Sequence, residues 1–180
     1  MKLKPIPVLL LIIFIAVNTF PINAQLPLSY KWVRSTTVYA PAVAGSEYAP
    51  GVLIKVDVAV AYPGTGKVFF QAQPLTQLDT QATARIAALV ASSLAGVDFF
   101  SYDYYILMSS NTMVVGGPSA GAIMTIAILS ILTNKTLKPG ITMTGMVNPD
   151  GTIGPVGGLK SKLEAAAKEG YKVFLIPFGQ

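Results

Sequence analysis

The sequence predicts an α/β fold in a single domain with mixed sheets and a central buried helix, preceded by an N-terminal signal or anchor segment. Alternating apolar residues at 52–62 are typical of a strand, and the stretch 119–133 is apolar on every side, as in a buried helix. Strands and helices mix without an internal repeat. With 180 residues, 52% of them hydrophobic and 12% charged, the chain can form one core and is too apolar to be disordered.

The N-terminus has the pattern of a targeting segment. Lys2 and Lys4 precede an apolar run at 8–17, and residues 22–24 (Ile-Asn-Ala) offer a small-residue cleavage site. The run is shorter than the ~20 residues that a membrane span needs. Residues 1–24 are therefore predicted to be a signal peptide, with an uncleaved membrane anchor as the alternative. In both cases the domain is expected outside the cytoplasm, secreted or membrane-anchored.

Composition excludes several classes of site. The chain has no cysteine and no histidine, so it can form neither a disulfide nor a thiolate or imidazole metal site. A Ser-His-Asp triad and a cysteine nucleophile are excluded for the same reason. The net charge of +5 includes the leader lysines, and the other basic residues form no dense patch. Neither nucleic-acid binding nor a metal or other cofactor is predicted.

Residues 25–51 carry three prolines and are predicted to be an extended connector, with an optional short strand at 32–39. The strand at 52–62 follows. A tight turn at 63–66 then leads to residues 68–73, which are predicted to return as the partner strand of a hairpin.

The turn segment Pro63-Gly64-Thr65-Gly66-Lys67 resembles the end of a phosphate-binding P-loop. That motif requires glycine where Ala61 stands and serine or threonine where Val68 stands. It also requires a helix after the loop, whereas a strand is predicted here. A hairpin turn is therefore the preferred interpretation over an ATP site.

Strands and helices continue through the rest of the domain. The expected order is a helix at 80–95 capped by Thr76 or Asp79 and ended by Gly96, a buried strand at 104–108, a loop at 109–117, the central helix at 119–133, strands at 141–147 and 152–155 around a hairpin turn at 148–151, a helix at 158–169 and a strand at 172–176.

Ser119 is the first candidate for chemistry. It follows Gly116-Gly117-Pro118 at the expected start of the central helix, where its hydroxyl lies outside the helix. Unpaired N–H groups of the first turn can stabilise an oxyanion at such a position. The alternative is an ordinary helix N-cap, a frequent role for serine.

Lys162 is the second candidate. On the helix at 158–169, Lys160 falls on a solvated side together with Glu164 and Lys168. An apolar stripe is expected at Leu159, Leu163, Ala166 and Ala167, and Lys162 borders this stripe. Burial disfavours the charged amine and lowers its pKa, which makes a general base. The alternative is a side chain that extends along apolar surface and keeps its amine in water.

Several motifs follow one another in a fixed order: Pro63-Gly64-Thr65-Gly66-Lys67, Gly117-Pro118-Ser119-Ala120-Gly121, Met143-Thr144-Gly145, Gly154-Pro155-Val156-Gly157-Gly158-Leu159-Lys160-Ser161-Lys162 and Phe174-Leu175-Ile176-Pro177. In this order they resemble the Lon protease proteolytic domain, peptidase family S16. The resemblance covers residues 52–177 and implies a Lon-like domain at 52–180.

The resemblance implies a serine endopeptidase that acts on unfolded proteins or peptides through a Ser-Lys dyad and an acyl-enzyme. It assigns the nucleophile to Ser119 and the general base to Lys162, the lysine that the helical periodicity selects independently. Thr144 is similar to a threonine placed beside the dyad in the family, and Gly117 and Pro118 belong to the nucleophile's motif. A non-catalytic binding or scaffold protein that keeps the Lon-like fold is the alternative.

The sequence departs from the family in ways that change the expectations. The best-known members carry an ATPase module that this sequence lacks, so activity is expected to be ATP-independent or to depend on a separate ATPase partner. An acidic residue often stands in the family where Gly116 stands here. The family domain also continues with further elements, so the C-terminal part of the domain is expected to be incomplete. The family's hexameric ring implies a homo-oligomer.

Overall fold

The computed structural model describes residues 29–44, 49–111 and 116–180. The expected leader at 1–24 lies outside these residues. Among the helices that are described, none is long and apolar enough to cross a membrane.

The elements follow the chain as β1 (Trp32–Val43), β2 (Gly51–Tyr62), β3 (Val68–Gln73), α1 (Leu78–Ala95), a short 3-10 helix (Phe99–Ser101), β4 (Asp103–Ser109), a second 3-10 helix (Pro118–Ala120), α2 (Gly121–Leu132), β5 (Ile141–Met143), β6 (Met146–Val147), β7 (Ile153–Gly154), α3 (Leu159–Lys168) and β8 (Val173–Leu175). This confirms a mixed α/β domain. The optional strand in the predicted connector is present as β1, and it is longer than expected.

The main sheet has the order β1-β2-β4-β3. β1 pairs antiparallel with β2 over the whole length of both strands, and β2 pairs antiparallel with β4. β3 pairs with β4 in parallel. The predicted hairpin of β2 and β3 is therefore wrong, because β4 lies between these two strands.

Asp103, the first residue of β4, explains this topology. Its Oδ1 accepts hydrogen bonds from the backbone N–H groups of Thr65 (2.8 Å) and Lys67 (3.0 Å), and Tyr30 donates to its Oδ2 (2.9 Å). The glycine-rich loop is thus fastened to the start of β4, and β3 continues along the far side of that strand. The N–H groups that would face a phosphate in a P-loop are engaged by a carboxylate of the protein itself.

α2 is the central helix that the sequence predicts. Nine of its 12 residues are buried, and it packs against α1 and against β1 and β2. α1 ends as expected at Gly96, which has a φ of 68°. Its start differs from the prediction: the N-cap position is Gln77, which makes no side-chain cap, and Asp79 lies within the first turn. The expected caps at Thr76 and Asp79 are wrong.

The remaining strands form two small sheets. β5 pairs in parallel with β8, and β6 pairs antiparallel with β7. The predicted hairpin turn at 148–151 is confirmed, because the Gly151 N–H donates to the Asn148 carbonyl (2.9 Å) between β6 and β7. The single strand expected at 141–147 is divided between the two sheets, since the chain leaves β5 at Thr144 to reach Ser119.

Candidate active site

Ser119 lies in the short 3-10 helix Pro118–Ala120, just before α2. The turn begins at Gly117, whose φ of 97° favours a residue without a Cβ atom. The N-cap position of α2 is Ala120, and α2 has no side-chain cap. The alternative that Ser119 is an ordinary N-cap is therefore wrong.

Backbone hydrogen bonds of Gly145, which follows β5, hold this turn on one side. The Gly145 N–H donates to the Ser119 carbonyl (2.9 Å), and the Ala122 N–H donates to the Gly145 carbonyl (3.0 Å). From the α1 side, the Gly117 N–H donates to Asp79 Oδ1 (3.4 Å). The turn that carries Ser119 is thus held by two separate segments, so its position is set by the packing of the domain and not by the loop alone.

Lys162 is buried, with only 3% of its surface exposed, whereas Lys160 is exposed. Burial lowers the pKa of Lys162 from 10.5 to about 8. The helix face is rotated from the expectation: Lys162 and Ala166 are its buried residues, while Leu163 and Ala167, predicted in the apolar stripe, are exposed. The rotation carries the lysine from the border of the stripe to its centre.

Thr144 connects the two candidates. Lys162 Nζ donates to Thr144 Oγ1 (3.4 Å), and Thr144 Oγ1 donates to the Ser119 carbonyl (3.2 Å). The Thr144 N–H donates to the Leu175 carbonyl of β8 (3.1 Å), which fixes the residue from the other side. Because the threonine's one hydroxyl proton points to the Ser119 carbonyl, the hydroxyl can only accept from the amine. The nitrogen lone pair of a neutral Lys162 is then left for another proton.

Gly51 sets the place of α3. A Cβ atom at this residue would lie 1.9 Å from the Ser161 carbonyl oxygen and 3.0 Å from the Ala165 Cβ. The helix that carries Lys162 can therefore approach the start of β2 only because residue 51 has no side chain.

Comparison with known proteins agrees with this geometry. Residues 49–179 match the family model described as the Lon protease (S16) C-terminal proteolytic domain. The chain belongs to the Lon protease (S16) family. S16 is a family of serine peptidases, so the prediction of family and of enzyme class is confirmed.

Curated Lon proteases show the same likeness. The chain is 35% identical over 132 residues to Lon protease 1 of Hydrogenovibrio crunogenus and 33% identical over 132 residues to Lon protease of Escherichia coli, in each case over 71% of this chain. It is 42% identical over 81 residues, 44% of the chain, to Lon protease of Desulfosudis oleivorans. The matches cover 16%, 17% and 10% of those relatives, so the chain spans a small part of their length.

The structure brings the expected residues of the candidate site together, and it adds some that sequence reasoning missed. Gly117, Pro118 and Ser119 form one turn, and Thr144 contacts both Ser119 and Lys162. Gly51 is predicted in the connector from the sequence, and the structure places it against α3. Leu175 and Gly145 belong to the quoted motifs, but their role is through backbone groups, which a sequence does not identify.

A cleft of about 750 Å³ adjoins the candidate site without containing it. Ser119, Thr144 and Lys162 do not line it; it reaches them through Met143, which precedes Thr144, and through Leu175. Within the described residues, no group of three or more Asp and Glu side chains is placed to hold a metal ion.

Proposed function

We propose that this chain is a serine endopeptidase that hydrolyses peptide bonds of unfolded proteins or peptides through Ser119 and Lys162. The Lon family acts on polypeptides, and the proposal extends that activity to this chain. The observation that carries it is the hydrogen-bonded path from the buried Lys162 amine through the Thr144 hydroxyl to the backbone carbonyl of Ser119, which places the amine beside the serine's turn. A purely structural helix has no need of a buried lysine.

Lys162 acts as the general base. With a pKa of about 8, the amine is neutral at pH 7 in roughly 300 times more molecules than an ordinary lysine would be. The neutral amine takes the Ser119 hydroxyl proton as the oxygen attacks the carbonyl carbon of the peptide bond. Thr144 holds the amine by accepting one of its N–H groups, so that the lone pair is directed away from the threonine.

The attack forms a tetrahedral intermediate whose oxyanion is stabilised by the backbone N–H groups of Ser119 and Ala120, since Pro118 has none. The protonated Lys162 then gives its proton to the leaving amine, and the peptide bond breaks to leave an ester on Ser119. Water hydrolyses that ester by the same proton transfers in reverse order. Each proton removed from a nucleophile is thus returned to a leaving group, and the enzyme is regenerated.

Location and partners extend the proposal. The basic and apolar pattern of residues 1–24 supports export, with the domain secreted or anchored outside the cytoplasm. Cleavage without ATP is proposed for the chain on its own. A homo-oligomer and a separate ATPase partner remain proposals that rest on the likeness to the family alone.

Cleavage of labelled casein by the full chain, without ATP, tests this function. Wild type would be compared with Ser119→Ala, Lys162→Met and Lys160→Met, the last being a matched exposed lysine on the same helix. Activity is expected in wild type and Lys160→Met, and its loss in the other two. A peptide β-lactone, which a nucleophilic hydroxyl opens to a stable ester, should label Ser119 in a mass spectrum.

Equal activity of wild type and Lys162→Met would refute the assigned base. A folded wild-type chain that neither cleaves casein nor reacts with the lactone would instead support the binding or scaffold alternative. Retained activity in Ser119→Ala would move the nucleophile to another residue.

A further inference from the structure

One end of the main sheet is rich in aromatic side chains. The strand register sets Trp32 opposite Tyr62 and Ala61 opposite Asp103, so the start of β1, the end of β2 and the starts of β3 and β4 meet there. This group, called here the aromatic end, consists of Tyr30, Trp32, Tyr62, Phe69, Phe99, Phe100, Tyr102 and Tyr105.

The rings form contacting groups that extend to the surface. Trp32 stacks on Tyr62 with ring centroids 5.9 Å apart, and Tyr62 contacts Tyr102 at 5.4 Å. Phe69 stacks on Tyr105 at 4.7 Å and is 43% exposed, while Phe100 is 65% exposed. Tryptophan and tyrosine rings, which have an apolar body and a polar tip, concentrate at membrane–water interfaces. The exposed phenylalanines add apolar surface beside them.

Basic side chains accompany the rings. The Lys31 amine lies over the Tyr62 ring (5.9 Å), and the Arg34 guanidinium lies over Trp32 (5.0 Å). The nearby carboxylates are already engaged: Asp103 is buried and holds the loop before β3, and Asp98 accepts from the Phe100 N–H (3.1 Å). Asp98 is exposed and keeps its charge, but the exposed Lys31, Arg34 and Lys67 outnumber it, so the aromatic end presents a net positive charge outward.

The chain enters the sheet at this same end. Residues 1–28, with the lysines and the apolar run of the expected leader, directly precede Ser29 and Tyr30. An anchored or membrane-associated leader would bring the aromatic end to the bilayer before any other part of the domain.

We propose that the aromatic end of this domain rests on the headgroup region of an anionic lipid bilayer. Aromatic rings take the interfacial level, and the exposed basic groups interact with anionic headgroups. β2 and α2 both run toward this surface and begin far from it. β2 begins at Gly51, beside α3, and ends at Tyr62. α2 begins next to Ser119, and Asn134 after its end accepts from Arg34 (3.2 Å). The candidate site is thereby held on the side away from the membrane.

Trp32 is the only tryptophan in the chain, so its fluorescence tests the proposal directly. The full chain would be reconstituted in vesicles of anionic and zwitterionic phospholipid whose acyl chains are brominated near the headgroup. Quenching of Trp32 is expected in anionic vesicles. The matched control moves the reporter to α3 by Trp32→Phe with Leu163→Trp, since Leu163 is 50% exposed, and this reporter should stay unquenched.

Equal quenching of the two reporters, or no quenching of Trp32, would overturn the proposal. The latter result would assign the aromatic end to a protein contact or to solvent. Activity does not enter this readout, so failure here and failure of the proposed peptidase function are separate results.

The basic groups are tested by Lys31→Glu with Arg34→Glu. Both side chains are exposed, so the variant should still fold. Its affinity for anionic vesicles, measured by the quenching of Trp32, is expected to fall roughly fivefold per charge changed. The control pair Lys160→Glu and Lys168→Glu on α3 should leave quenching unchanged. If both pairs reduce it equally, the effect is one of net charge and the proposed orientation is wrong.

Discussion

At the scale of single residues, Lys162 is the most informative side chain, because it lies where an ammonium ion is costly. Its pKa of about 8 results from burial, and Thr144 accepts a hydrogen bond from its amine. Sequence periodicity identified this residue as the inward lysine, but the degree of burial depends on packing against β1 and β2. Such long-range contacts are not encoded in a local pattern.

Activity should therefore depend on pH through Lys162. As pH rises, the amine loses its proton, so kcat/KM for a peptide substrate is expected to rise from pH 6 and to level off above about 8. A pH–rate profile with a fluorogenic peptide measures this. A profile that is flat between pH 6 and 9 would contradict the assigned base.

Replacement of the buried amine should separate function from stability. Lys162→Met removes the base, yet it should raise the free energy of unfolding at pH 7 by about 3 kcal/mol, because the folded state favours the neutral amine. The gain should be full below the folded pKa of about 8 and shrink as pH rises toward the unfolded value. Urea titrations at pH 7 and pH 10 test this; equal gains at both would refute it.

At the scale of elements, the sequence predicts those that depend on interactions between neighbouring residues and fails for those that depend on distant ones. The helix ended by Gly96, the central helix α2 and the β6–β7 turn depend on neighbouring residues, and the sequence predicts them. The pairing of β3 depends on Asp103, which is 36 residues from Lys67. The pattern of residues 52–73 alone predicts a hairpin, and nothing in that stretch indicates that β4 lies between the two strands.

The contact of Gly51 with α3 yields a prediction about the site. Gly51→Ala places a methyl group against the Ser161 carbonyl, so it should cost about 1–3 kcal/mol of stability and displace Lys162. Casein cleavage should fall more than tenfold. Gly96→Ala is the control: its φ is 68° with open space around it, so it should cost about 1 kcal/mol and leave specific activity unchanged. Equal specific activities of the two variants would exclude a role for residue 51 in the site.

Asp103 should be important for the sheet. Burial raises the pKa of Asp103, and hydrogen bonds from the Thr65 and Lys67 N–H groups and from Tyr30 outweigh it, so the pKa is below its usual range. Asp103→Asn should lower the free energy of unfolding at pH 7 by about 1–3 kcal/mol. Because the contribution of a lowered pKa is lost as pH falls through the folded value, the difference should shrink below about pH 4.

The matched control for Asp103 is Asp57→Asn. Asp57 bonds the exposed Lys55 (2.7 Å) in the one salt bridge found among the described residues, and exposed pairs contribute about 0–1 kcal/mol. If urea midpoints at pH 7 change equally in the two variants, the fastening of the loop by Asp103 does not stabilise the sheet.

At the scale of the whole molecule, the described domain has a well-packed part and a lightly packed part. The main sheet and α2 form the buried core, whereas α3 buries only two of its ten residues, Lys162 and Ala166. The candidate site lies where the two parts meet, since Ser119 adjoins α2 and Lys162 belongs to α3. The sequence predicts both residues as candidates. That they lie close together is seen only in the structure, where Thr144 is hydrogen-bonded to the Lys162 amine and to the Ser119 carbonyl.

Amide hydrogen exchange should show this division. The amides of α2 are expected to exchange only through global unfolding, while those of α3 should exchange through local opening with a lower free energy. Mass spectrometry of peptides from 121–132 and 159–168 measures the difference. Equal protection of the two helices would mean that α3 belongs to the cooperative core.

The direction of α2 has a consequence for which substrates the chain can reach. From Gly121 to Asn134 the chain advances roughly 20 Å, at about 1.5 Å per helical residue. With the aromatic end on a bilayer, this length keeps the candidate nucleophile at a fixed height above the lipid. A membrane-bound polypeptide would then be cut only where at least about six extended residues separate its cleavage point from the surface. The domain would thus select membrane-bound substrates by the length of the segment between the membrane surface and the cleavage point.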